Sequence, residues 1–208
     1  MDPEIRMADL YKERGFDFAR LPNTRTEIAA ISSLFPASRC RIFLGSAASE
    51  QQVKSEKLDQ YRYIHFAAHG YLDEEHPSRS GIVMSFDKNS GEDGILQAHE
   101  IMGLRLNAEL VTLSACQTGL GKVLSGEGVI GLSRAFLYAG ASSVVVSLWN
   151  ANDVATAELM KQFYRGLSRG RSKDEALRDA KLALIKGQQR SWRHPYYWAP
   201  FILMGRSH

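Results

Sequence analysis

The chain has 208 residues, 26 Lys+Arg against 23 Asp+Glu for a formal net charge of +3, and 44% hydrophobic with 24% charged residues. That balance excludes a disordered, collagen-like or low-complexity chain, and the length suits one domain whose core needs no metal or disulfide staple. Two cysteines, Cys40 and Cys116, make no disulfide framework, which points to a reducing compartment and, with no basic-then-apolar leader at Met1–Arg6, to the cytoplasm. No apolar run approaches the ~20 residues of a membrane span. A small basic excess without a Lys/Arg block is a poor footprint for nucleic acid. Neither a membrane nor a nucleic acid is an expected partner.

Thr24-Arg25-Thr26-Glu27 is a capping-box pattern ahead of Ile28, Ile31, Leu34 and Phe35, a spacing that predicts an amphipathic helix ending before Pro36. Cys40 to Gly45 reads as a short strand in which Cys40 packs. Ser49-Glu50-Gln51-Gln52 opens a second helix through Leu58, and Tyr61 to Ala68 is a β-rich run expected as a buried strand. Ser80 to Phe86 reads as a further strand, closed by the turn-rich stretch to Gly94. Gln97 to Met102 is a short helix. Glu109 to Ala115 is an apolar strand ending at Cys116, followed by a Gly-rich loop and a helix from Gly128 to Tyr138. Ser142 to Trp149 is the next strand, Val154 to Leu167 and Ser172 to Ile185 are long helices, and an aromatic loop (Trp192, Tyr196, Tyr197, Trp198) leads to a last strand, Pro200 to Met204. Strands alternating with helices imply crossovers, hence an α/β fold with a mostly parallel sheet covered by helices on both faces. Residues 1–20 are expected as an extension or stub, and residues 21–208 as the domain.

Ligands of such sheets sit at the carboxyl ends of the strands. Two of the expected strands end there in competent side chains, His69 and Cys116, 47 residues apart in sequence. A thiol near its free pKa of ~8.5 is only partly ionised at neutral pH, so a reactive cysteine gains from a neighbouring imidazole. The small residues around both positions leave room for a close backbone approach, and the amides of Gly70 and Cys116 are candidate oxyanion donors. Against this stands the packing alternative, in which Cys116 merely fills the core and His69 is a satisfied core histidine.

The string Val111-Thr112-Leu113-Ser114-Ala115-Cys116-Gln117-Thr118-Gly119 and its continuation from Gly126 to Phe136 resemble the CHAT domain, a caspase-like cysteine peptidase module related to separase and the caspases. His65-Phe66-Ala67-Ala68-His69-Gly70, Val144 to Trp149 and His194 to Phe201 are similar to the same family. The resemblance runs from about Leu21 to Gly205 and implies a caspase-like three-layer sandwich. It also implies a cysteine endopeptidase with Cys116 as nucleophile, His69 as its proton-transferring partner, and Gly70 with Cys116 donating amides to the oxyanion. In separase an acidic residue after the Ser-Leu-Trp strand faces a basic P1 side chain. The matching stretch here is Trp149-Asn150-Ala151-Asn152-Asp153. Asp153, with Trp149 and Asn150, is therefore a candidate substrate-binding residue; Asn150 stands where separase-like sequences often carry a second acid. Asp153 reads equally as the N-cap of the helix from Val154. Family members often carry tetratricopeptide repeats, which makes such a region, or another regulatory protein, an expected partner beside the protein substrate. The alternative function is a catalytically silent caspase-like interaction module.

Gly126-Glu127-Gly128-Val129-Ile130-Gly131 matches the dinucleotide fingerprint, but the strand before it ends some ten residues too early for an immediate strand-to-helix turn. His65, His69 and Cys116 fall short of the four ligands of a structural zinc site. No metal or cofactor is expected. His76, in the acidic loop from Asp73, reads as solvated surface or as a rim that attracts basic peptides.

Overall fold

Every position of Leu110–Leu113 and Ser143–Ser147 is buried, on both faces of the strands, the condition for a parallel sheet sandwiched between helices. The computed structural model describes residues 21–73, 76–86, 90–114, 127–149 and 152–208. Seven strands are described: β1 (Tyr63–Phe66), β2 (Gly70–Tyr71), β3 (Gly81–Val83), β4 (Ile95–Gln97), β5 (Leu110–Leu113), β6 (Ser143–Ser147) and β7 (Phe201–Gly205). The α-helices are α1 (Thr24–Ser32), α2 (Glu50–Ser55), α3 (Ala98–Ile101), α4 (Glu127–Tyr138), α5 (Asp153–Ser168) and α6 (Lys173–Lys186). The main sheet has the order β1-β5-β6-β7, and β2-β3-β4 form a smaller sheet. β1, β5 and β6 run parallel, β7 runs antiparallel to β6, and the smaller sheet is antiparallel throughout.

Alternation along the strands divides the core in two. Val111, Leu113, Val144 and Val146 face α4, which contributes Val129, Leu132, Ala135 and Phe136. Leu110 and Val145 face the other way, onto Leu159, Met160, Phe163 and Tyr164 of α5, Ala176, Leu177, Ala180 and Leu184 of α6, and Ile31 of α1. The spacing of those helical residues is the three-and-four pattern of a buried stripe. Each fully buried leucine contributes about 2 kcal/mol of apolar transfer free energy. The two layers of helix with the sheet between them make the three-layer α/β sandwich that the alternation of elements predicts.

Several elements differ from expectation. Residues 40–44 join no strand, though Cys40 and Leu44 are extended, and Ile42 and Leu44 stand 47% and 39% exposed; without a neighbouring ladder, an apolar run alone makes no strand. The second helix stops at Ser55 because Glu56 turns extended (φ −76°, ψ 143°), and Leu58–Gln60 form a separate 3-10 turn. β2 and β4, at two and three residues, are too short to leave a periodicity. Thr24 and Glu27 do not form a capping box: the Thr24 hydroxyl donates to Leu21 O at 2.8 Å, while Glu27 turns inward.

Candidate functional site

The carboxyl edge of the sheet is set by one register. His65 pairs with Thr112 and Phe66 with Leu113 across β1 and β5, and Thr112 and Leu113 pair with Val145 and Val146 of β6. The Ser114 amide donates to Phe66 O at 3.0 Å, carrying the β1–β5 pairing one step past both strands. The Ser114 hydroxyl is buried and has no hydrogen-bond partner among the described residues. His69 follows β1, four residues beyond His65, and Cys116 stands four beyond Thr112 in sequence. Cys116 and Asn150 lie outside the described residues.

His69 is half-buried between β1 and β2. Its carbonyl accepts from the Val83 amide at 2.8 Å. Gly70 pairs with Ile82 and Tyr71 with Gly81. Antiparallel pairs alternate between bonded and non-bonded, so a bonded step at His69 and Val83 makes Gly70 and Ile82 a non-bonded one. The Gly70 amide therefore points away from β3 and is not consumed by that ladder.

Trp149 stands two residues beyond β6 on the same edge, 36% exposed, with its indole Nε1 donating to Tyr196 O at 3.2 Å. Its carbonyl accepts from the Ser147 hydroxyl at 2.6 Å. Asp153 is the first residue of α5, and the N-cap is Asn152, whose Oδ1 accepts from the Ala155 amide at 3.1 Å. The expectation of Asp153 as the N-cap is thus corrected by one residue. Asp153 Oδ2 instead accepts from the backbone amide of Asn23 at 3.0 Å and from its Nδ2 at 2.7 Å.

His65 is not available to a metal. Its Nε2 lies 2.7 Å from Glu27 Oε1 and its Nδ1 3.1 Å from the Tyr164 hydroxyl. Tyr164 in turn donates to Thr112 Oγ1 at 3.0 Å. Burial pushes the Tyr164 hydroxyl well above its ordinary pKa, so it stays neutral. Glu27, 1% exposed, is the one buried acid of this layer among the described residues, and the sequence carried a signal of it: Glu27 and Ile31 are four apart, on one helix face.

A second charged cluster joins α2 to the smaller sheet. Lys54 Nζ lies 2.6 Å from Glu50, 2.7 Å from Glu92 and 2.6 Å from Glu100. The three carboxylates have the mutual spacing of metal ligands, within 4.8 Å, but the ammonium sits among them and supplies the positive charge. Burial raises the Glu50 carboxyl to about 7 against the opposing pull of Lys54. Burial also works to raise Glu100, but hydrogen bonds from Lys54 and from the Gln97 amide outweigh it and hold that carboxyl below its ordinary value. Among the described residues no helix is long and apolar enough to cross a membrane.

The sequence profile of the CHAT domain matches residues 7–206. The chain belongs to the CHAT domain family. CHAT domains have a caspase-like fold, and the parallel β1-β5-β6 sheet between two helical layers agrees with it. The domain is also similar to tetratricopeptide repeat protein 28 of Homo sapiens and of Mus musculus, 28% identical to each over 216 aligned positions that cover 89% of this chain and 8% of each relative. The chain thus spans less than a tenth of the length of these curated relatives.

Proposed function

We propose that this CHAT domain is a cysteine endopeptidase of the caspase and separase type, acting in the cytoplasm through His69 and Cys116. The observation that carries the reading is the His65–Thr112 register pair: β1 and β5 are adjacent and parallel, so their carboxyl ends lie at one edge, and each proposed catalytic residue stands four positions beyond the pair in sequence. His69 takes the thiol proton of Cys116 as the sulfur bonds to the scissile carbonyl carbon. The oxyanion accepts from the amides of Gly70 and Cys116. His69 then protonates the leaving amine, the C–N bond breaks, and a thioester remains. Water, giving a proton to His69, adds to the thioester and releases the carboxylate product and the thiol. The non-bonded step at Gly70 supports its part, since an amide taken up in the β2–β3 ladder would have none to donate. Trp149, Asn150 and Asp153 form the substrate-binding side, with Asp153 selecting Arg or Lys at P1.

A second reading, a silent interaction module, is favoured by the exposure of Trp149 and Tyr196 side by side at this edge, 36% and 44%. The name of the curated relatives suggests a tetratricopeptide repeat region as the regulatory partner on either reading. An electrophilic peptide probe with Arg at P1 separates the two readings. Labelling of wild type that is lost in Cys116→Ala supports the peptidase; equal labelling of both, or of neither, leaves the interaction module.

A further inference from the structure

The buried hydrogen-bonded path from Glu27 to Thr112 has no part in the chemistry proposed above, yet it bridges β1 and β5, the strands that precede His69 and Cys116 in sequence. Its four members come from four elements: Glu27 from α1, His65 from β1, Tyr164 from α5 and Thr112 from β5. The Tyr164 hydroxyl touches both members of a single register pair, His65 and Thr112, at 3.1 and 3.0 Å. All four sites are deeply buried: Glu27, Tyr164 and Thr112 are 1%, 1% and 0% exposed, and the His65 side chain 9%.

The Tyr164 hydroxyl meets Thr112 on one side and the His65 ring on the other, and the second ring nitrogen of His65 meets Glu27. A buried polar network of this kind contributes little net stability compared with apolar residues of the same volume, and its best-attested benefit is to fix one arrangement over its neighbours. Here the arrangement fixed is the height of β1 against β5. A slip of either strand breaks contacts at both ends of the Tyr164 hydroxyl, and would displace whatever follows each strand by the same amount.

We propose that Glu27, His65, Tyr164 and Thr112 form a positioning network that holds β1 in register with β5 and thereby sets the placement of His69 against Cys116. This rests on the peptidase reading, and it makes Tyr164 a positioning residue rather than a catalytic one. None of the four touches substrate.

The test is the pH profile of Cys116 alkylation by iodoacetamide, read by peptide mass spectrometry so that Cys40 is scored separately, with melting temperature measured alongside. Tyr164→Phe removes only the hydroxyl; Thr112→Val, nearly isosteric, removes the other end of the bond and serves if the first variant fails to fold. Leu159→Ala, in the same buried layer, is the control for stability loss alone. The network predicts that Tyr164→Phe and Thr112→Val lower the neutral-pH rate about tenfold, as a displacement of order 1 Å in a reacting pair allows, and move the profile toward that of His69→Ala. Leu159→Ala, though at least as destabilised, keeps the wild-type profile. If wild type already matches His69→Ala, there is no dyad to position and both readings fall. If wild type exceeds His69→Ala but the two hydroxyl variants match wild type, or Leu159→Ala shifts the profile as far as they do, the positioning role alone is overturned.

Discussion

Asp153 and Asn23 are joined by two hydrogen bonds, the carboxylate Oδ2 accepting from the backbone amide at 3.0 Å and from Nδ2 at 2.7 Å. Asn23 is the residue before α1 and has no side-chain cap of its own, so Asp153 secures the start of that helix from the start of α5. This gives the residue a structural role beside its proposed place in the substrate-binding wall. The two roles separate in a pair of variants. Asn23→Ala and Asp153→Ala should each lower stability by about 1 kcal/mol, the ordinary worth of a capping contact. Only Asp153→Ala should lose cleavage after Arg and Lys relative to other P1 residues, measured on a peptide library. Equal loss in both variants would leave the helix anchor as the whole role of Asp153.

The Glu50 carboxyl, raised by burial to about 7 from an ordinary 4.5, binds more protons in the folded protein than in the unfolded chain between those two values. Folding is then favoured by this group at low pH, and its contribution is lost as pH rises through about 7. Glu100 has the opposite sign, but its depressed carboxyl acts below the ordinary glutamate range. Urea unfolding between pH 5 and 7.5 should therefore show stability falling as pH rises, by at most about 3 kcal/mol. Glu50→Gln, which keeps one acceptor oxygen for the Gly94 amide and gives up the one that faces Lys54, should flatten that slope. A wild-type slope that survives in Glu50→Gln would assign it to another group.

Gly140 has φ +113°, and a Cβ there would lie 2.2 Å from Leu106 O. The loop before β5 crosses that spot, held by the Leu106 amide donating to Ala139 O at 2.8 Å. Gly140→Ala should lower stability by about 3 kcal/mol or more, because it combines backbone strain with a clash against main chain. Gly170, at φ +78° with nothing within 4 Å of its added Cβ, should lose only about 1 kcal/mol on the same change. Thermal unfolding of both variants checks the contrast.

The sheet and its helices were legible because their signals are local and periodic. α5 and α6 begin and end within one or two residues of where Leu159, Phe163, Ala176 and Ala180 place them. Resemblance then pointed to the edge where His69 and Trp149 stand. What stayed hidden depends on partners distant in sequence. Glu27 matched a capping box, yet its partner is His65, 38 residues away; a local motif cannot register that contact. His65 and His69 offer themselves in sequence as a ligand pair, but Tyr164, 99 residues on, occupies the other nitrogen of His65. Residues 40–45 had the composition of a strand and lacked only a neighbour, which composition does not reveal.

The antiparallel pairing of β7 with β6 has a consequence for synthesis. Ser147 pairs with Phe201, 54 residues later, and both long helices of one layer lie between them. At ~5–20 residues per second of translation, a nascent chain holds the β6 edge open for roughly 3–10 s before β7 leaves the ribosome to close it. During that interval Ser143–Ser147, apolar at its three central positions, is an unpaired strand edge of the kind that recruits other chains. Factors that bind nascent chains would meet this domain at its most adhesive just before its last strand is made.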